Sequence, residues 1–382
     1  MIVIGAGASA MMFCSLLDKG ISVALIEQNS SIGQKVKISG GGKCNITNAK
    51  VNESNYLGEQ RFVASVLDRY DNSWLLDFLE QSSLIPLLKK DNCYFCKDSS
   101  SEILDLFHKK MGNVKKIMNT VVQKVTKKDN VFLIKSNRGE FRSHRVVIAS
   151  GSKSYPRIGG SDIGLLIAKH FGHSVKEFEA SLVGFTVQPE QFWFKQLSGI
   201  SFDISAKVGD KSFSGSLLFA HKGISGPVVL NLSLYWKRGQ IEIDFLNKKP
   251  VKKFLSSSKK LISSSLPLPK RFVKLFLESI KVEDKPVNSL TNEELEKLAL
   301  LNRYSFAPAG NFGFSKAEAC RGGVETSEIN SYTLESKKVE GLYFLGEVMD
   351  VTGELGGYNL QWAFSSAAVC AEHFNATLQN TL

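Results

Sequence analysis

A chain of 382 residues that is 43% hydrophobic and 22% charged has room for two or three domains and a large buried core, and its composition excludes a disordered polymer. No run of 18 apolar residues occurs, so no membrane-spanning helix is expected, and a first strand at Met1 leaves no room for a signal peptide. Six scattered cysteines suit a reducing cytoplasm, and a net charge of +11 spread in lysine pairs reads as general surface charge, so nucleic acid is not the expected partner.

Met1 to Ile4 is a short apolar run with branched residues, the signature of a buried parallel strand. Gly5 to Ala10 make a turn. A helix is expected from about Ala8 to Lys19, stopped by Gly20, and Ser22 to Glu27 form a second strand. Within residues 62–80, Phe62, Val63, Val66, Leu67 and Tyr70 recur at helical spacing. Strand-like runs follow at 121–126, 130–135 and 141–149. From about residue 183 the texture changes to short strands and turns, as in "LVGFTVQPEQFWF" and "ISFDISAKVGDKSFSGSLLFAH". Residues 252–303 read as helices broken at Pro267, Pro269 and Pro286, with "SSSKKLISSSLPLPK" as a polar connection. A buried strand returns at 341–348, then a glycine-rich turn and a helix in "NLQWAFSSAAVCAEHF". The expected organisation is an α/β nucleotide-binding fold over 1–184, a β-rich insert over 185–250, a helical insert over 251–305, and a return to the first fold over 306–382.

The strongest local signal is Gly5-Ala6-Gly7-Ala8-Ser9-Ala10 between a strand and a helix. Gly5 permits the tight turn, Gly7 lets the backbone approach a pyrophosphate, and a small residue at position 10 lets helix and strand pack. The phosphates sit on free N–H groups at the positive helix end. Glu27 closes the second strand twenty residues after Gly7, placed to accept hydrogen bonds from ribose hydroxyls and to repel a 2′-phosphate. Two further glycine-rich elements, Lys35 to Asn48 and Gly346 to Ala363, favour FAD over a nicotinamide dinucleotide. A flavin must be held along its whole length. Gly356-Gly357 opening a helix would aim a positive helix end at the flavin's electron-poor edge.

These blocks carry a family resemblance. "VIGAGASAMM", "KISGGGKCNITN", "VVIASGSKSYPRIG", "LLFAHKGISGPVVLNLS" and the long block ending "GEVMDVTGELGGYNLQWAFSSA" resemble the YhiN/BaiN-type flavoproteins, also known as aminoacetone-oxidase-family or NAD(P)/FAD-dependent oxidoreductases, over nearly the whole chain. The resemblance implies a glutathione-reductase-type FAD-binding Rossmann domain interrupted by a β-barrel-like module and a small helical module. It implies FAD contacts at Gly5, Ala6, Gly7, Ala8, Ser9, Ala10, Glu27 and Gln28. It implies further contacts at Lys35, Ser39, Gly40, Gly42, Cys44, Asn45 and Val122, at Ala149, Ser150 and Gly151, and at Gly346, Glu347, Gly356, Gly357, Tyr358 and Asn359. Three departures stand out: Lys43 where many relatives have Arg, "RIGGSDIG" after Pro156 with Asp162 displaced, and "NCYFCKD" where relatives commonly have Val-Phe-Pro.

Candidates for chemistry are few. Cys44 follows a triple glycine, but the position five residues on, where dithiol flavin reductases have their second cysteine, is Ala49. Cys44 therefore reads as a packed small hydrophobe. Cys93 and Cys96 have redox spacing but two aromatics fill the gap, and a close pair alone is too few ligands for a metal. His170 and His173 fit a helix end near Gly172. In "HKGISGP", Ser225 is placed to cap a helix and His221 is a candidate acid or base. Tyr358 is a further catalytic candidate, and Arg321 a weaker site residue. The expected activity is hydride transfer between flavin N5 and a small-molecule substrate, with NAD(P)H as a transient reductant or oxygen as acceptor, since no second G-x-G-x-x-G occurs. The alternative is a flavin-containing RNA-binding or tRNA-modifying protein.

Overall fold

Strands β1 (Ile2–Ile4) and β2 (Ala24–Ile26) flank helix α1 (Ala8–Leu16) at the start of the computed structural model, which describes residues 1–256 and 259–379. β3 (Lys115–Ile117) follows, then the antiparallel strands β4 (Val122–Lys128), β5 (Val131–Ser136) and β6 (Gly139–Ser143). Next come β7 (Val146–Ile148), helix α2 (Ile163–His170), and, near the carboxy terminus, β8 (Leu342–Phe344) and helix α3 (Tyr358–Gln379). The parallel sheet runs β8-β7-β1-β2-β3. Every residue of β1, β7 and β8 is buried, as expected of strands covered on both faces. No helix among the described residues is long and apolar enough to cross a membrane.

Two compact units result: Met1–Ala180 together with the chain from Glu318 onward, and Ser181–Ala317. In the first, α1 packs on α3 with Phe13 edge-on to Phe374 at 5.5 Å. Helix α1 stops at Leu16 rather than Lys19. The Asn375 amide donates to the Leu16 carbonyl (2.9 Å) and its oxygen accepts from the Asp18 N–H (3.0 Å), so a residue on α3 fixes the end of α1. The run 141–149 is two strands rather than one. The Ser143 hydroxyl bonds the Arg145 carbonyl at 2.7 Å and turns the chain out of the antiparallel sheet into the parallel one.

The second unit holds a seven-stranded sheet with antiparallel pairings, built on the long hairpin Ser201–Val208 and Lys211–Ala220. Residues 185–250 and 251–305 do not form separate modules here. Phe272, on the helix Lys270–Ser279, packs 5.0 Å from Phe202 and 4.8 Å from Phe245, inside one shared core. "QPEQFWF" is helical, because Pro189 opens the short-pitch run Pro189–Leu197. Prolines 269 and 286 do precede helical runs, at Lys270 and Val287. Ser257 and Ser258 of the polar connection lie outside the described residues.

Candidate dinucleotide site

The site is built at the carboxyl ends of β1, β2, β7 and β8. β1 pairs with β2 on one side and β7 on the other, so the connections leave it in opposite directions and open a crevice there. Gly5, just past β1, has φ +101°, and a Cβ on it would lie 2.4 Å from the Ala149 carbonyl oxygen. Glycine is required at that point because two strand ends pass too closely for a side chain. Gly7 differs. Its φ is an ordinary −79°, a Cβ would meet no protein atom within 4 Å, and no side chain caps α1. The first intrahelical bond runs from the Met11 N–H to the Gly7 carbonyl at 3.0 Å. The N–H groups of Ala8, Ser9 and Ala10 therefore have no intrahelical acceptor and sit at the positive end of the helix.

Glu27 is 8% exposed and holds this turn. One carboxylate oxygen accepts from the Ala6 N–H at 2.7 Å; the other accepts from the Asn29 N–H (2.9 Å) and side-chain amide (2.7 Å). With about four acceptor positions on a carboxylate, roughly one is left. The Gln28 amide donates to the Gly159 carbonyl. The Thr120 N–H donates to the Glu27 carbonyl at 2.8 Å, and buried Val122 opens β4 just beyond. At the end of β7, the Ser150 hydroxyl is buried and has no hydrogen-bond partner among the described residues, and Gly151 follows in the left-handed region.

The two ends of the chain meet here. A Cβ on Gly346 (φ +70°) would lie 2.9 Å from the Ser9 hydroxyl oxygen. Beside it, Glu347 accepts from Lys35 Nζ at 2.7 Å and from the Cys320 N–H at 3.1 Å, while Lys35 also donates to Ser154 at 2.6 Å. Sequence reading missed two titratable neighbours of this network. Glu318 reaches solvent, yet desolvation pushes its carboxyl above the usual range, partly offset by Lys35. Tyr155, at φ +53°, is raised by burial and then by Glu318. The left-handed tyrosine is a backbone signal that sequence does not carry.

The loop after Lys35 runs through Ser39, which bonds the Val36 carbonyl (2.8 Å), and three left-handed glycines. A Cβ on Gly40 would lie 2.7 Å from the Asn45 nitrogen; one on Gly42 would meet nothing within 4 Å. The strand Asn45–Asn48 then ties to the carboxy-terminal turn. Thr47 bonds Gln361 at 2.5 Å, the Asn48 amide donates to the Gly356 carbonyl at 3.0 Å, and Asn45, with its amide suitably oriented, accepts from the Gly357 N–H at 3.2 Å. A Cβ on Gly357 (φ +94°) would lie 2.5 Å from the Thr47 carbonyl carbon. Asn359 bonds Gly353 in both directions at 2.9 Å, and the Tyr358 carbonyl accepts from the Tyr56 hydroxyl at 3.1 Å. Burial, then Glu354 and Cys93, push the Tyr358 phenol up to about 12. Residues of this turn are bonded mainly to their own protein.

A family described as the HI0933-like protein Rossmann domain matches residues 1–373. The chain belongs to the HI0933-like Rossmann family. It is 36% identical over 388 residues to the ribosomal RNA dihydrouridine synthase of Haemophilus influenzae, covering 97% of each chain. It is 27% identical over 398 residues to the 3-dehydro-bile acid delta(4,6)-reductase of Clostridium scindens, covering 95% of this chain and 96% of the relative. In fold alone, it is similar to the 3-ketosteroid-delta4-(5alpha)-dehydrogenase of Rhodococcus jostii, with a TM-score of 0.50 at 12% identity, covering 97% and 96% of the two chains.

Several sequence candidates take other roles in this HI0933-like chain. Cys44 (φ +49°) stands one step beyond the Asn45–Phe95 pair and therefore opposite Cys96, whose N–H donates to the Lys43 carbonyl at 3.0 Å. Their thiols hydrogen-bond; that bond and then burial push Cys44 well up. Cys96 thus pairs with Cys44, while Cys93 contacts the carbonyls of Asp91 and Gly356 at 3.5 Å. His173 is buried between Glu328 (3.1 Å) and Ser336 (2.7 Å), a structural tie. Arg321 is held by Glu179 at 3.1 Å. His221 is exposed on the second unit and is not among the residues the first unit assembles. Ser225 does not cap its helix: Gly226, at φ +96°, is the cap residue, because only glycine suits that backbone and the helix then starts at Pro227.

Proposed function

We propose that this chain is an FAD-dependent oxidoreductase that reduces a carbon–carbon double bond conjugated to a carbonyl, and that its substrate is a uracil ring in RNA. The observation that carries the FAD reading is the contrast at the crevice between required Gly5 and open Gly7, beside an unpartnered buried hydroxyl on Ser150. These residues fit a dinucleotide. The N–H groups from Gly7 to Ala10 would hold the pyrophosphate, and the remaining acceptor of Glu27 a ribose hydroxyl. Ser150, Gly151, Gly346 and Glu347 would follow the ribityl chain, and the Ser39–Asn45 loop with the start of α3 would border the ring system. Bound FAD would supply hydride transfer.

The names of the two relatives share one chemistry. Forming dihydrouridine from uridine and reducing a Δ4,6 bond beside a 3-keto group both saturate a double bond that a carbonyl polarises. Such a reduction needs a proton as well as a hydride. Glu318, whose carboxyl desolvation holds above the usual range, is the candidate proton donor, next to the Lys35–Glu347 ion pair. The uracil reading rests on the higher identity and nearly complete coverage of the first relative, and on the net charge of +11, which suits a polyanion. NAD(P)H, docking transiently, is the proposed reductant.

The test begins with purified protein under anaerobic conditions. NADPH or NADH is expected to bleach the flavin absorbance, and ribosomal RNA from a strain lacking the gene to restore it while gaining dihydrouridine by mass spectrometry. RNA that is never reduced sinks the uracil reading. Reoxidation by a steroid enone instead supports a small-molecule reductase, the reading that the second relative favours.

A further inference from the structure

The excess charge of this chain is concentrated, not spread. Between Lys115 and Arg145 lie nine Lys and Arg residues against two acids, Asp129 and Glu140, so 31 residues carry a net +7 of the chain's +11. Most of this segment is the antiparallel sheet β4-β5-β6.

Strand register sorts its side chains onto two faces. Val122, Val125, Phe132 and Ile134 are buried on the inner face, where β4 lies against α2. The outer face presents Lys124, Lys128, Lys135 and Arg142, all exposed, with Glu140 as its acid. Lys124 stands directly opposite Lys135. Like charges at such a cross-strand pair, about 5 Å apart at Cβ, destabilise a free sheet. Glu140 stands opposite Lys135 in register, but its carboxylate bonds Arg142 at 3.3 Å. Lys124, Lys128 and Lys135 have no ion-pair partner among the described residues. A sheet face with an unrelieved like-charge pair and too few acids is built to meet an external polyanion.

We propose that the outer face of β4-β5-β6 docks the sugar–phosphate backbone of the RNA substrate. The inference rests on the RNA reading of the preceding subsection. The outward positions carry lysine and arginine beside Thr126, Val131 and Leu133, and no aromatic ring, so the face contacts phosphates and positions the strand without stacking on bases. Its near end is Val122, two residues beyond Thr120, which bonds the Glu27 carbonyl. The docking face therefore departs from the adenosine end of the proposed cofactor site and leaves the ring end free for a base.

The test uses the flavin-loaded full chain. Binding of a fluorescent ribosomal RNA fragment is titrated across a salt series for wild type, for Lys124→Gln/Lys135→Gln/Arg142→Gln, and for Glu140→Gln. The triple variant is expected to bind at least about tenfold more weakly, with a log–log salt slope shallower by about two, since each lost phosphate contact removes roughly 0.7 to 0.9. Glu140→Gln, which removes the competing acid, is expected to bind about twofold more tightly, and this opposite sign separates charge from misfolding. Flavin content, melting temperature and bleaching by NAD(P)H are expected to stay at wild-type values in both. Wild-type affinity and slope in the triple variant overturn the docking face while leaving RNA as substrate. A wild-type protein that bleaches normally but binds no RNA overturns the RNA reading itself. Equal loss of binding to vesicles of anionic phospholipid, with RNA binding intact, reassigns the face to a membrane surface and overturns the proposal.

Discussion

The two glycine-rich turns of this fold look alike in sequence and do opposite things. At the carboxy-terminal turn, Gly357 is boxed in by the Thr47 backbone, and the polar side chains around it bond one another or the local backbone. At the amino-terminal turn, Gly5 is boxed in by Ala149, but Gly7 two residues later faces open space at an uncapped helix end. A glycine that protein atoms demand reports packing. A glycine that none demands, beside unbonded donors, reports a ligand. Side-chain clearance, rather than the motif, separates these cases.

The largest expected effect is at the packed turn. Gly357→Val places a branched side chain at φ +94° and within 2.5 Å of the Thr47 backbone. Left-handed strain and overpacking each cost about 1–3 kcal/mol, so a loss on the order of 3–5 kcal/mol is expected, read as a lower urea midpoint with or without FAD. A midpoint at the wild-type value would show that the turn yields easily and that its glycines serve something other than packing.

Gly7→Val is the counterpart. No protein atom obstructs the new side chain, and φ −79° suits valine, so the apoprotein is expected to melt close to wild type. The branched group would instead occupy the space assigned to the pyrophosphate. FAD affinity is expected to fall about a hundredfold or more, a change of roughly 2.7 kcal/mol, read by equilibrium dialysis. A variant that melts normally and retains FAD at wild-type affinity breaks the distinction between the two turns.

Local patterns explain what was legible in the sequence. The strand, turn, helix and second strand from Ile2 to Ile26 are set by neighbours close in the chain, and so is the buried strand Leu342–Phe344. What escaped was set by distant partners. Asn375 ends α1 early across more than 350 residues of chain, and the pairing of Asn45 with Phe95 puts Cys96 against Cys44, 52 positions away. Residues 251–305 join the β-rich core because Phe272 packs on Phe202 and Phe245, a contact no spacing rule announces. Around the site, the motif located Gly5, Gly7 and Glu27 together. It could not tell that Asn359 is consumed by Gly353, or that Glu318 sits beside the Lys35 network. The concentration of charge at 115–145 was present in the sequence and is visible on counting by segment, but only strand register gives it a face.

The smallest effect gives the finest comparison, because it tests one oxygen atom. The Ser150 hydroxyl is buried at the end of β7 with no partner among the described residues, whereas the side chain of Asn359 at the other turn has both an acceptor and a donor on Gly353. An unpaired buried hydroxyl contributes nothing to the apoprotein and costs desolvation, so Ser150→Ala should leave apo stability unchanged or raise it by up to about 1 kcal/mol. If the hydroxyl is there for the cofactor, the same change removes one hydrogen bond of about 0.5–1.5 kcal/mol from the complex, a two- to tenfold weaker FAD affinity. Asn359→Ala should show the reverse order, with lower apo stability first and affinity following only through it. A Ser150→Ala protein that is destabilised without any loss of affinity would place that oxygen with the packed turn, and the boundary of the ligand-facing region would then have to be redrawn on the Gly7 side of the crevice.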